Sequence, residues 1–252
     1  MRPLDRGDTP LSGNIDKTVA NYRDWRENLI DTIGNYCSYC NMILNDSPQV
    51  EHVTPKNPQP GQPKGALLAW NNMLLACGPC NRAKDNQPNS PATHYMPDSS
   101  NTHLAFDYIV IDHPIKKKCK ACILVPKTTT NINIAKAQNT IDLCKLAALT
   151  VNPGATDLRW KYRFEAWNSA NIVWRQEWDK WGYSKVSGFV ALLVDAAKSK
   201  GFFSIWFDAF YDVPDIKIAL INAFSGTDRN SFQAAIPYDP QPRNPHYPTD
   251  PI

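Results

Sequence analysis

Two Cys-x-x-Cys pairs constrain this chain more than any other feature: Cys37-Ser38-Tyr39-Cys40 and Cys77-Gly78-Pro79-Cys80. A pair at that spacing turns back on itself so that two thiolates reach one ion, and two such turns close a tetrahedron around zinc. The polypeptide between the pairs must therefore leave one point and return to it. That stretch carries Val50-Glu51-His52-Val53-Thr54-Pro55-Lys56 and then Leu68-Ala69-Trp70-Asn71-Asn72-Met73-Leu74-Leu75. Asn81-Arg82-Ala83-Lys84 follows at once. Neither the acid–histidine pair nor the amides are needed to hold a structural zinc.

The chain has seven cysteines, six of them in Cys-x-x-Cys pairs and Cys144 single. An odd count in such pairs, with no leader segment read at the start, is the usage of a metal-binding protein in a reducing compartment, so the expected location is the cytoplasm. At 252 residues, 42% hydrophobic and 11% aromatic, the sequence suits a folded protein with an ample core. The net charge of +3 permits a nucleic-acid partner without demanding one. No apolar run approaches the ~20 residues needed to span a bilayer, so no membrane association is expected.

Read in order, residues 1–35 form a lead-in and a helix over Lys17–Ile33, capped by Asp16 or Asn14 and stopped at Gly34-Asn35. Residues 36–125 form the core that carries the knuckles. Within it Gln49–Val53 reads as a short strand, Pro55–Pro63 as a loop, Asn72–Ala76 as a second strand or turn, and Asn81 as the start of a helix. Leu104–Ile111 has strand character and Asn131–Leu149 returns to helix. Residues 126–234 are expected to be helical, with a single aromatic stripe (Trp160, Phe164, Trp167, Trp174, Trp178, Trp181) along a helix over Asp157–Trp181. Residues 235–252 form a Pro-rich tail, either mobile or laid along the surface.

The ordered set Cys-x-x-Cys, Glu-His-x-x-Pro-Lys, Trp-x-Asn-hydrophobic and Cys-x-x-Cys-Asn-x-x-Lys resembles the HNH, or ββα-metal, endonuclease family. Its wording is similar to the branch found with bacterial anti-phage systems of the Septu and retron-associated kind. The resemblance implies an α+β, mostly helical fold: a ββα-metal core with a structural four-cysteine zinc site (Cys37, Cys40, Cys77, Cys80) and a helical C-terminal region. It implies an endonuclease hydrolysing DNA phosphodiester bonds, serving phage defence beside an ATPase subunit. His52 matches the family's base. Asn72 matches the middle Asn, expected to accept the second imidazole N–H. Glu51 matches the acid that ligates a catalytic Mg²⁺ or Mn²⁺. Asn81 stands where the family name has its final His.

The chemistry agrees with those assignments. Phosphodiester hydrolysis needs a base for water and a cation on the scissile phosphate. An imidazole with an unperturbed pKa of about 6.5 is neutral at cellular pH. Adjacent strand residues point to opposite faces, so Glu51 and His52 share one centre only where a strand bends or ends. An amide oxygen is a serviceable hard ligand, which leaves Asn81 as metal ligand or as a helix N-cap, with His94 or Asp85 as substitutes. Lys56 and Lys84 are the candidates for phosphate contact.

Alternatives from other classes stay open at this point. One is a non-catalytic, zinc-stabilised nucleic-acid-binding module. Another is an interaction subunit working through the aromatic stripe, whose spacing otherwise describes core. Cys119-Lys120-Ala121-Cys122 is either a second zinc pair or two thiols in a turn. Lys116, Lys117, Lys118 and Lys120 meet either a phosphate backbone or solvent.

Overall fold

A computed structural model describes residues 1–129, 132–149, 157–181, 188–243, 250 and 252. Its architecture is α+β and mostly helical, with small two-stranded antiparallel sheets. The first is an exposed hairpin of β1 (Leu11–Ser12) and β2 (Ile15–Asp16). Because that hairpin takes up the expected caps, the first helix starts later than Lys17. Asn21 caps it instead, in a capping box: its side chain accepts from the Arg23 N–H, and Asp24 accepts from the Asn21 N–H. The turn Tyr22–Trp25 runs into α1 (Arg26–Ile33), and Gly34 ends the helix with φ +76°.

β3 (Gln49–His52) pairs with β4 (Met73–Ala76), placing Glu51 opposite Leu74 and His52 opposite Met73. The strand stops at His52, as the shared acid–histidine centre requires. α2 (Gly78–Lys84) follows, and its N-cap is Cys77, not Asn81. Pro79 explains the early start: in the first turn its missing N–H has no helical partner to lose. Asn81 therefore lies inside the helix, and the N-cap reading of it is corrected. Beyond the ββα unit, α3 (Thr102–Ala105) leads into a longer hairpin, β5 (Phe106–Asp112) with β6 (Lys120–Pro126).

α4 (Ile134–Leu143) is shorter than the sequence pattern and is capped by Asn133. The aromatic helix consists of α5 (Arg159–Asn168), a π-helical turn over Ser169–Trp174 and α6 (Arg175–Trp181). α7 (Phe189–Lys200), α8 (Phe203–Ala209) and α9 (Pro214–Ala223) complete the helical region.

Two apolar clusters form the interior. The first gathers α1, β3, β4, the knuckles and Ala137, Ile141 and Leu143 of α4. The second gathers α7, α8 and α9 with Phe164, Trp167, Trp174 and Trp178 packed on it. The described part of the stripe faces inward: Trp160 is buried on His113 at 4.5 Å, and Trp174 and Trp178, partly buried, lie on Phe189 at 5.4 and 5.6 Å. The side chain of Trp181 is outside the described residues. Arg2 stitches the two clusters together, its guanidinium donating to the carbonyls of Ile33 and Ser225. Of the tail, Asp250 accepts from Tyr95 and Lys136, both at 2.5 Å, while 244–249 and 251 lie outside the described residues.

Candidate active site

The four knuckle cysteines are buried, and their sulfurs all lie within 4.8 Å of one another. Cys40 Sγ stands 3.7 Å from Cys77 Sγ. Zinc–sulfur bonds of about 2.3 Å in a tetrahedron put sulfurs about 3.8 Å apart, so the donor set fits zinc. Burial raises the Cys40 thiol, but hydrogen bonds from Cys37, Cys77 and Cys80 and the charge of Arg159 outweigh it and hold Cys40 well below the ordinary range. Arg159 donates to Cys80 Sγ at 2.9 Å and to the Cys144 carbonyl at 2.9 Å. Among the described residues these cysteines are the only such cluster of three or more His, Cys, Asp or Glu. Cys119 is exposed and Cys122 buried on the β5–β6 hairpin, with no third ligand beside them among the described residues.

Beside the zinc cluster opens a cavity of about 280 Å³ whose lining includes Tyr22, Glu51, His52, Lys56, Asn81 and Arg82. The end of β3 and one face of α2 make its walls, so the acid, the imidazole and the amide singled out in the sequence do share one space. The imidazole is fixed from behind. His52 Nε2 lies 3.0 Å from the Leu67 carbonyl, which only accepts, so this nitrogen carries the proton and Nδ1 keeps its lone pair. Tyr22 covers the ring at 4.6 Å. Burial lowers the pKa of His52, the Leu67 carbonyl works against that, and Lys56 and Lys84 add to it. The ring is neutral at pH 7.

Asn72 does not touch the imidazole, which corrects the expected partnership. Its Oδ1 accepts from the Thr54 N–H at 2.8 Å, and its Nδ2 donates to the carbonyls of Thr54 and Ala66 at 3.1 and 3.0 Å. It clamps the two ends of the Pro-rich loop. Ala66 adjoins Leu67, so Asn72 acts on His52 through the backbone. Gly65 is needed in that clamp because a Cβ there would meet the Thr54 carbonyl at 2.0 Å.

Glu51 is buried, with both carboxylate oxygens engaged. Tyr39 Oη donates to Oε2 and Lys84 Nζ donates to Oε1, each at 2.5 Å. Burial pushes the carboxyl upward, while Lys84 and Tyr39 pull it back. Lys84 also donates to the His52 carbonyl at 2.8 Å and is fully buried. That corrects its expected role in phosphate contact, because a side chain facing the inner side of α2 cannot meet a ligand outside. Lys56 does reach the cavity, its ammonium 4.2 Å from the Tyr22 ring centre. Asn81 Nδ2 donates to Gln49 Oε1 at 2.8 Å. Of the substitutes for Asn81, Asp85 lines the cavity, while His94 is buried elsewhere on Thr93.

Each engaged oxygen of Glu51 keeps a lone pair, and Asn81 adds an amide oxygen. Hard oxygen donors are what a Mg²⁺ or Mn²⁺ ion takes, and Glu51 and Asn81 both line the cavity, so the donor chemistry fits a divalent cation as well. Sequence reasoning missed three contributors: Tyr22, Tyr39 and the Leu67 carbonyl. Arg82, on the same wall, was seen only as a helix residue.

No helix among the described residues is long and apolar enough to cross a membrane. No curated protein and no solved structure matches the chain. A family model does: residues 36–87, which hold both knuckles, β3, β4, α2 and all but one of the cavity residues named above, match HNH endonuclease.

Proposed function

We propose that this protein is a metal-dependent endonuclease that hydrolyses DNA phosphodiester bonds at the cavity between β3 and α2. The observation that carries the reading is the convergence of Glu51, His52 and Asn81 on one open cavity, inside a stretch that matches a nuclease family model. Glu51 and Asn81 would hold the divalent ion, which supplies charge stabilisation to the phosphate and the departing oxygen. His52 Nδ1 takes the proton of the attacking water, with Nε2 anchored on Leu67 so that the tautomer cannot invert. Lys56 and Arg82 supply positive charge at the mouth for the flanking phosphates. The likeness of the site's wording to anti-phage nucleases suggests a defence effector acting beside an ATPase subunit in the cytoplasm.

The test is incubation of supercoiled plasmid with the protein and Mg²⁺ or Mn²⁺. Wild type is expected to cut, and His52→Ala is expected not to cut while retaining its zinc and its circular dichroism. A wild type that holds zinc and leaves plasmid intact with either ion overturns the proposal.

A further inference from the structure

The hairpin β5–β6 ends in a turn that the site described above does not use. Residues 112–120 read Asp-His-Pro-Ile-Lys-Lys-Lys-Cys-Lys. Four lysines less one aspartate give this tip a formal charge of +3, which equals the formal +3 of the whole chain. The rest of the sequence is therefore balanced, and the protein's excess positive charge stands on one turn. Sums of charge say little about binding, but a concentration of charge on one exposed feature says a good deal.

The turn is built rather than loose. His113 Nδ1 accepts from the N–H groups of Ile115 and Lys116 at 3.2 and 3.0 Å, and the His113 N–H donates to the Cys119 carbonyl at 2.8 Å. Two of the four lysines have local duties. Lys116 lies over the Trp160 ring at 5.1 Å, and Lys120 pairs with Asp112 at 2.8 Å. Lys117 and Lys118 are exposed, and Lys118 adopts a left-handed φ of +64° at the turn. The base of the tip is anchored near the cysteine cluster. The His113 ring packs on Trp160, the residue after Arg159, and Arg159 bonds Cys80, the residue before Asn81. The tip is thus tied to the stretch of α2 that lines the cavity.

We infer that the lysine tip of the β5–β6 hairpin is a second contact for duplex DNA, gripping the phosphate backbone away from the cut through Lys117 and Lys118. The inference rests on the nuclease reading for the identity of its polyanion, and it adds where that polyanion runs. Phosphate contacts of this kind give affinity and orientation without reading sequence.

Binding of a labelled blunt duplex, measured without added Mg²⁺ or Mn²⁺ over a range of salt, tests it. The double variant Lys117→Gln, Lys118→Gln alters only exposed side chains. It is expected to flatten the slope of log K against log salt by about 1.8, at about 0.9 for each phosphate no longer neutralised. Plasmid cutting at low salt and saturating protein should match wild type. An unchanged slope, or no duplex binding by wild type, overturns the inference. Loss of binding to phosphatidylserine vesicles with duplex binding intact overturns it too, and assigns the tip to a membrane surface. If wild type cuts plasmid but the slope does not change, the tip fails and the nuclease stands. If the slope changes but nothing is cut, the tip stands and the nuclease fails.

Discussion

Tyr39 donates its phenol hydrogen to Glu51 at 2.5 Å, so a residue inside the first zinc knuckle holds the acid of the proposed site. Lys84, at the end of the helix that the second knuckle opens, holds the other oxygen. Both knuckles thereby reach one carboxylate. Tyr39→Phe should leave zinc content unchanged and cost about 1.5–3 kcal/mol of stability, the range for a hydrogen bond to a charged group. Denaturant unfolding followed beside a zinc assay measures both. Unchanged stability would mean that the hydroxyl contributes nothing to holding Glu51.

Lys84→Met removes the cation from a pair that is closed to water. Breaking a buried pair from one side typically costs about 3–5 kcal/mol, because the partner charge stays behind. Urea unfolding should show that loss. The salt slope of duplex binding should not move, since a buried ammonium touches no phosphate.

Asn72→Asp retains the acceptor for the Thr54 N–H but deletes the donors to Thr54 and Ala66. Each stranded carbonyl costs about 1–3 kcal/mol. With the loop released, the Leu67 anchor shifts, and cutting should fall on the order of 10²-fold, the effect of a misplaced base. Comparison with His52→Ala under identical conditions ranks the two losses.

The acid limb of the cutting rate should lie below pH 6.5. Burial lowers the folded pKa of His52 beneath the unfolded value of about 6.5, so the basic form survives to lower pH. The same shift has a stability consequence. Between the two pKa values the unfolded chain binds more protons, so this contribution is full above about 6.5 and is lost as pH falls toward the folded value. A pH–rate profile and parallel thermal melts check the two statements separately.

Arg159→Met should loosen the zinc without touching a ligand. Groups that hydrogen-bond metal ligands usually contribute about 10–100-fold to affinity. Competition against a chromophoric zinc chelator at equilibrium gives the ratio, and equal affinities for the two proteins would refute it.

What the sequence made legible depended on how locally each signal is encoded. Cysteine spacing marked the four-cysteine cluster. Apolar residues flanking an acid–histidine pair marked β3, one residue too long because Val53 looks like a strand residue while the strand ends at His52. The start of α2 was misplaced by three residues because Asn81 is a good cap in isolation and Pro79 is a better first-turn residue. Lys84 looked like a surface charge. Only the packing of α2 on β3 turns it inward to Glu51. The imidazole's true partner could not be read at all, since a backbone carbonyl at Leu67 has no residue signature. Tyr39 was visible merely as one of the two residues between the first pair of cysteines.

The berth of Arg2 has a bearing on the order in which the molecule assembles. Its guanidinium closes on carbonyls at Ile33 and Ser225, which lie far apart along the chain. On the ribosome the knuckles and α2 emerge, and can load their ion, long before the Ser225 carbonyl has been synthesised. The Ser225 contact of Arg2 must therefore wait, and it ties residues made first to residues made among the last.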